Sequence, residues 1–369
     1  MPTRVLDREG LDALIARLVN DGFQVLGPTI EDGAIIYDEI ESTEDLPVGW
    51  TDEQKGGAYR LARRDDEALF GYNVGPTGWK RFLYPPQENL FNVQNDTGRT
   101  RFLKADIRPR KRALFGVRPC ELAAIAIQDR VFLDSGHVDA GYAARRAEIL
   151  LIAVECGTAG GSCFCTSMGT GPSCSDGYDL RITEITDDGS LSYVLDAATE
   201  VGEEIVSGLD SQAVSDEDLR FREMALANAE AEMGLSMDTD GLRDLLVHGF
   251  DNPRWEDVAE RCLTCGNCTM ACPTCFCSTV TDSVSLDGVA TRTRAWDSCF
   301  SLEFSGLHGH PVRSSTKSRY RQWMTHKLGT WHDQFGMSGC VGCGRCITWC
   351  PVGIDITAEV RAMREEVHV

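Results

Sequence analysis

Apolar positions recur at helical spacing in LDREGLDALIARLVNDG near the start of the chain, which predicts an amphipathic helix. The next segment, FQVLGPTIEDGAIIYDEI, changes period and predicts two strands around a Glu-Asp-Gly turn. KRALFGVRPCELAAIAIQDRVFL predicts a strand, a Pro-Cys turn and a helix, and EILLIAVEC a further buried strand. YDLRITEITDDGSLSYVLD reads as a hairpin turning at Asp-Gly. SDEDLRFREMALANAEAEM, from Ser215 to Met233, reads as a helix leading toward the C-terminal part. Beyond it NPRWEDVAERC, SSTKSRYRQWMTHKLGTWHDQF and the tail DITAEVRAMREEV are helical in pattern, the second with Ser314 or Ser315 as N-cap. The expected fold class is α+β: an α/β domain over residues 1–245, whose strand order the pattern leaves open, then a mostly helical domain over residues 250–369.

Two cysteine runs define that second domain. CLTCGNCTMACP at 262–273 and CVGCGRCITWCP at 340–351 both have the spacing that turns three thiolates toward one [4Fe-4S] cube and sends the fourth to another. Three cysteines two residues apart in a tight loop face a common centre, and the proline after the fourth redirects the chain. On that logic Cys262, Cys265, Cys268 and Cys350 hold one cluster, and Cys340, Cys343, Cys346 and Cys272 the other. Gly266, Gly342 and Gly344 suit close approach of backbone to cluster. A pair of zinc sites is the competing reading, because CxxC pairs also bind zinc. Two matching four-cysteine runs, each closed by proline, argue against it. Residues 250–369 are therefore expected to be a ferredoxin-like domain with two [4Fe-4S] clusters, enlarged by an insert, since 67 residues separate Cys272 from Cys340.

A length of 369 residues allows two or three domains with separate cores. The opening MPTRVLDREGLDALIARLVNDG lacks the apolar stretch of a signal peptide, and no apolar run approaches a membrane span. The expected location is cytoplasmic, where thiols stay reduced and free to bind iron. A formal net charge of −21 repels nucleic acid and anionic membranes and leaves open whether the acidity serves solubility or docking.

Eight of the sixteen cysteines lie outside the two runs. A single free cysteine is commonly a small buried apolar residue. The glycine-rich ECGTAGGSCFCTSMGTGP after a predicted strand, and the repeated Cys-Phe-Cys of CPTCFC, weigh against that for the group. A third cluster is therefore expected in or beside the α/β domain, with Cys156, Cys163 and Cys165 as ligands and Cys120 or Cys299 as the fourth. Arg292, Arg294 and the stretch from His308 to Lys327 concentrate basic side chains in an acidic chain. They suit either cations tuning a negative cluster or a solvated or docking face. Trp296, Trp323, Trp331 and Trp349 read as core or interface anchors.

GVRPCELAAI at 116–125, ECGTAGGSCFCTSMGTGP at 155–172, CPTCFC at 272–277 and RAWDSCFSLEFS with HGHPVR resemble the β subunit of cytoplasmic sulfhydrogenases. They also resemble the related iron–sulfur subunit of anaerobic sulfite reductase. The resemblance runs over most of the chain and is weakest in about the first hundred residues. It implies an iron–sulfur electron-transfer subunit between a flavin-carrying subunit that exchanges electrons with a nicotinamide nucleotide and a catalytic partner. That partner is a nickel–iron hydrogenase pair in one branch and a siroheme subunit in the other. No GxGxxG after a strand and no GxxxxGK[ST] occurs here. The leading expectation is a relay on which no bond is made or broken. The alternatives are a reductase using flavin or an open cluster at the 157–171 loop, and a structural zinc protein.

Overall fold

The computed structural model describes residues 3–96, 99–105, 107, 109–187 and 189–367. Strands β1 (Thr3–Leu6), β2 (Gln24–Glu31) and β3 (Ala34–Glu39) come first, followed by a separate hairpin of β4 (Trp50–Lys55) and β5 (Ala58–Arg63). β6 (Gln87–Asp96) and β7 (Arg99–Lys104) form a second antiparallel pair. β8 (Arg112–Val117), β9 (Ile149–Val154), β10 (Leu180–Asp187), β11 (Ser190–Ala197) and β12 (Gln212–Ala213) follow. One sheet of eight strands takes the order β12-β1-β11-β10-β9-β8-β2-β3. β2, β8, β9 and β10 are parallel to one another at its centre, and the outer strands are antiparallel.

The central strands lack polar alternation because both faces are covered. In β8, Ala113 and Phe115 face the helix Arg8–Asn20, whose Leu11, Leu14, Ile15 and Leu18 are fully buried. Leu114 and Val117 face the helix Pro119–Phe132 through Leu122 and Ile125. The β2–β3 hairpin closes at Asp32 and Gly33, both with positive φ, as a two-residue turn with the right twist requires. The helix and strand segments expected from the pattern up to residue 233 all form, and Ser215 caps the helix Asp216–Ala231.

The insert between the runs holds more than its expected helix. Its first half is a hairpin of β13 (Ser278–Val284) and β14 (Ala290–Trp296), and β14 pairs with β6 in a sheet of order β13-β14-β6-β7. The cysteine-rich part and the α/β part therefore share a sheet. Ser315 caps the helix Thr316–Thr325, which passes through a π-helical turn, His326–Thr330, into the helix Trp331–Phe335. No described helix is long and apolar enough to cross a membrane.

Glu88 of β6 ties these layers together, receiving Arg145 at 2.7 Å and Arg294 of β14, while Arg294 also pairs with Asp139. All four side chains are mostly buried. Removing one partner from such a group strands the others' charge in low dielectric. Glu88→Ala is expected to lower the unfolding free energy by about 3 kcal/mol in urea denaturation. Asp282→Ala, which breaks the exposed Arg292 pair on the same sheet, should leave the midpoint unchanged.

Candidate metal centres

The two cysteine runs fold alike. In the first, the helix Arg254–Arg261 ends at Cys262, Thr264 and Gly266 take positive φ, and Cys268 lies in the short helix Asn267–Met270. In the second, Gly342 and Gly344 take positive φ and Cys346 lies in the short helix Arg345–Thr348. These left-handed residues turn the backbone so that amides face sulfur: Thr264 N–H donates to Cys262 at 3.4 Å, Gly342 N–H to Cys340 at 3.5 Å and Ile354 N–H to Cys350 at 3.4 Å.

A small cavity opens among Cys262, Cys265, Cys268 and Cys350, so the last cysteine of the second run joins the first three of the first. Cys346 also borders it. Its walls are apolar, from Phe300, Trp323, Ile354 and Ile356. Tyr320 Oη and Trp323 Nε1 are buried on this wall without a hydrogen-bond partner. Buried donors need acceptors. Thiols around an apolar space with two idle donors fit a cluster whose sulfurs accept hydrogen bonds.

The remaining thiols of the second run spread beside this cavity. Burial pushes up Cys340, Cys343 and Cys346, and Cys272 is among the neighbouring thiols that add to the push on each. Next to them Lys327, 5% exposed, donates to Cys272 Sγ at 3.3 Å, Thr274 Oγ1 at 2.8 Å and the Gly339 carbonyl at 3.1 Å. Hydrogen bonding from Cys275, with help from the Lys327 charge, holds the Cys272 thiol well below its usual range despite burial. Of the basic stretch anticipated around the clusters, Lys327 reaches a cysteine sulfur. Arg292, Arg294 and Lys317 form ion pairs with Asp282, Glu88 and Asp139, and Glu256, while His326 bonds Gln334.

A second small cavity sits where β8 and β9 end. Carboxyl ends of parallel strands are where open α/β sheets place ligands. Cys120 is at the start of the helix after β8, Cys156 lies just past β9, and Cys163 and Cys165 come from the glycine-rich loop; all four line this cavity. Cys343 of the second run lines it too. Cys299 does not join this group and follows the end of the β13–β14 hairpin, where Asp297 N–H donates to the Cys277 carbonyl at 2.9 Å. Arg118 and Arg345, both buried, border the cavity. Arg118 donates to the carbonyls of Phe70 and Tyr72, both at 2.9 Å. Arg345 pairs with buried Glu121 at 2.6 Å, yet its Nη1 has no partner. A buried guanidinium with an idle N–H beside four thiols suits an anionic group between them.

The glycine-rich loop is held by close backbone contact. Gly344 lies where a Cβ would come 2.1 Å from the Ser162 carbonyl, Gly342 where it would come 2.6 Å from Cys165, and Phe164 N–H donates to the Gly342 carbonyl at 2.8 Å. The second run thus borders both cavities.

A family described as a 4Fe-4S dicluster domain matches residues 261–354. The chain is also 33% identical over 347 residues to Sulfhydrogenase 2 subunit beta of Pyrococcus furiosus, covering 93% of this chain and 92% of the relative. It belongs to the sulfhydrogenase β-subunit family. It is thus an iron–sulfur subunit, and the family match spans both cysteine runs and the insert between them.

Sequence reasoning for this family member passed over Lys80, Arg118 and Arg345. Arg118 and Arg345 adjoin cysteines in GVRPC and CGRC, a signal available in hindsight from spacing; Lys80 carried none.

Burial favours the protonated form of several of these thiols. Burial pushes Cys163 and Cys340 up to about 12, with Cys156 adding to the rise of Cys163. Iron binds thiolate, so each ligand must release a proton, and uptake grows more favourable as pH rises. Iron affinity of the apoprotein, measured by chelator competition, should rise steeply between about pH 6.5 and about pH 8.5. A flat profile would contradict buried thiol ligands.

Proposed function

We propose that this chain relays electrons within a nickel–iron hydrogenase complex, between a subunit carrying flavin and reacting with a nicotinamide nucleotide and the hydrogenase subunits. In this reading Cys262, Cys265, Cys268 and Cys350 hold one [4Fe-4S] cube, and Cys340, Cys343, Cys346 and Cys272 hold the other. Cys120, Cys156, Cys163 and Cys165 hold a third. The observation that carries it is the convergence of Cys350 with the first run around one apolar cavity. Each such cube supplies a site for one electron at a time. The protein's part is to bury the thiols, aim amide and side-chain donors at sulfur, and set the charge around each centre.

The run of sites also supports a relay. Cys343 and Cys346, three residues apart in one short segment, border different cavities, which keeps the centres close together. Cys265 is exposed, with exposed Leu263 and Val352 beside the same cavity, a suitable face for a redox partner. The hydrogenase partner is preferred to a siroheme sulfite reductase partner because the relative is named a sulfhydrogenase subunit. An independent reductase using the 157–171 loop is disfavoured, because Gly160, Gly161 and Gly171 are packed against Asn73, Gln54 and Cys165.

Cys350→Ser is expected to damage the cube of the first run and Cys272→Ser that of the second, read by EPR of the reduced protein and iron content. Loss of the cube belonging to each residue's own run would overturn the crosswise assignment. Lys327→Met removes a buried positive charge beside Cys272 and so disfavours the more negative reduced state. The potential of the second-run cube should fall by about 60 mV, the one-electron equivalent of a tenfold shift, in a redox titration followed by EPR.

A further inference from the structure

Positive charge concentrates at one place that the cysteine sites do not use. RTRFLKADIRPRKR, residues 99–112, holds seven Lys and Arg and one Asp in a chain of net charge −21. Part of this is ordinary edge protection: β7 is the last strand of its sheet, and its exposed Arg99 and Arg101 hinder pairing with another chain. That reading does not cover the residues at and after the end of the strand. Lys104, Arg110 and Arg112, with Arg145 of the helix Ala140–Ala147, line an open cavity of about 600 Å³ beside β6 and the end of β7.

Neutral groups fix the two inner guanidiniums. Arg112 Nε donates to Gln24 Oε1 at 3.2 Å and its Nη1 to the Phe82 carbonyl at 3.3 Å, while Arg145 Nε donates to the Leu83 carbonyl at 2.7 Å. Both are held at the end of the helix Lys80–Leu83, whose Lys80 donates to the carbonyls of Cys272 and Cys275, both at 3.2 Å. Carbonyls orient a guanidinium without cancelling its charge. Glu88 is the one carboxylate lining the cavity among the described residues, and it already pairs with Arg145 and Arg294. Arg112 meets no carboxylate among them, and the charges of Arg110 and Arg145 lie close enough to oppose its own. Arginine keeps its charge at any physiological pH, so the cavity stays positive. Asn89 Nδ2 donates to Asn92 Oδ1 at 3.1 Å, which leaves the Asn92 amide nitrogen without a partner among the described residues lining the cavity.

An acidic protein surface offers carboxylates singly, whereas a phosphate presents several anionic oxygens at one point and matches guanidinium geometry. Cations already held in place in a recess therefore suit phosphate. Leu103, Ile107 and Pro109 add apolar lining, and the volume lies in the range of small-molecule sites rather than that of a bare ion. We propose that this cavity binds a small organic phosphate, with its phosphate group among Lys104, Arg110 and Arg112 and its organic part against Leu103, Ile107 and Pro109. The site uses no cysteine and stands apart from the relay reading.

The test is calorimetric titration of anaerobically purified full-length protein at low ionic strength, where charge is least screened. The probes are inorganic phosphate, adenosine 5′-monophosphate, glucose 6-phosphate and a hexaglutamate peptide. At least one of the two phosphate esters is expected to bind more tightly than inorganic phosphate. Arg112→Gln should weaken that binding by about tenfold or more, the loss of a charged hydrogen bond. Arg110→Gln, at an exposed position where folding is not at stake, should weaken it too. Arg220→Gln, whose exposed pair with Glu217 lies on another helix, should bind as the wild type does. Absence of binding by every phosphate probe, esters that bind no better than inorganic phosphate, or unchanged affinity in both cavity variants would each overturn the proposal. So would hexaglutamate binding more tightly than either ester, which would make the cavity a dock for an acidic protein segment.

Discussion

The second cysteine run can border both cavities because two glycines let its backbone lie directly on another loop. At Gly344 a Cβ would meet the Ser162 carbonyl at 2.1 Å, and at Gly342 the Cys165 backbone at 2.6 Å, both positions having positive φ. No other residue type tolerates both constraints. The Phe164 N–H bond to the Gly342 carbonyl and the Thr170 hydroxyl bond to the Val341 carbonyl, at 2.7 Å, fix the contact. Through it the helix after β8, the end of β9 and the cysteine-rich part become one frame. A side chain at either glycine would separate Cys343 from Cys120, Cys156, Cys163 and Cys165.

Charge compensation is the second organising constraint. The chain carries a net charge of −21, yet its interior near the thiols is basic. Arg118 and Arg345 border the second cavity, and Lys80 and Lys327 surround the CPTCFC turn. Burying four cations is costly unless anions meet them. Arg345 has Glu121, itself bonded by Tyr37, and still keeps one idle N–H. The unfilled donors of Tyr320 and Trp323 repeat this at the first cavity. The same groups that make the metal-free interior polar are those a cluster's sulfurs satisfy.

Much of this was legible from the chain because the motifs are local. The cysteine spacing identified the dicluster region, and the period of apolar residues located the central strands, whose burial on both faces removes alternation. GVRPC and the glycine-rich loop pointed to the family through residues that line one cavity. What stayed hidden depends on long-range pairing. The hairpin of β13 and β14 is short and polar, with β13 exposed, and its β14 strand forms against β6, roughly 200 residues earlier in the chain. Nothing in the order of residues placed Cys120 rather than Cys299 beside Cys163, because that choice follows from β8 and β9 being neighbours. Lys80 acquires its role only when the helix Lys80–Leu83 packs on the CPTCFC turn.

The central claim is that the two runs hold paired, adjacent cubes, each completed by the other run. EPR of the fully reduced protein tests this most directly, because neighbouring paramagnetic centres couple magnetically. The account predicts a broadened, interaction-split spectrum that simplifies to an isolated signal when the protein is half reduced. Fully reduced spectra that are the plain sum of non-interacting centres, or a protein without iron signals, would contradict it.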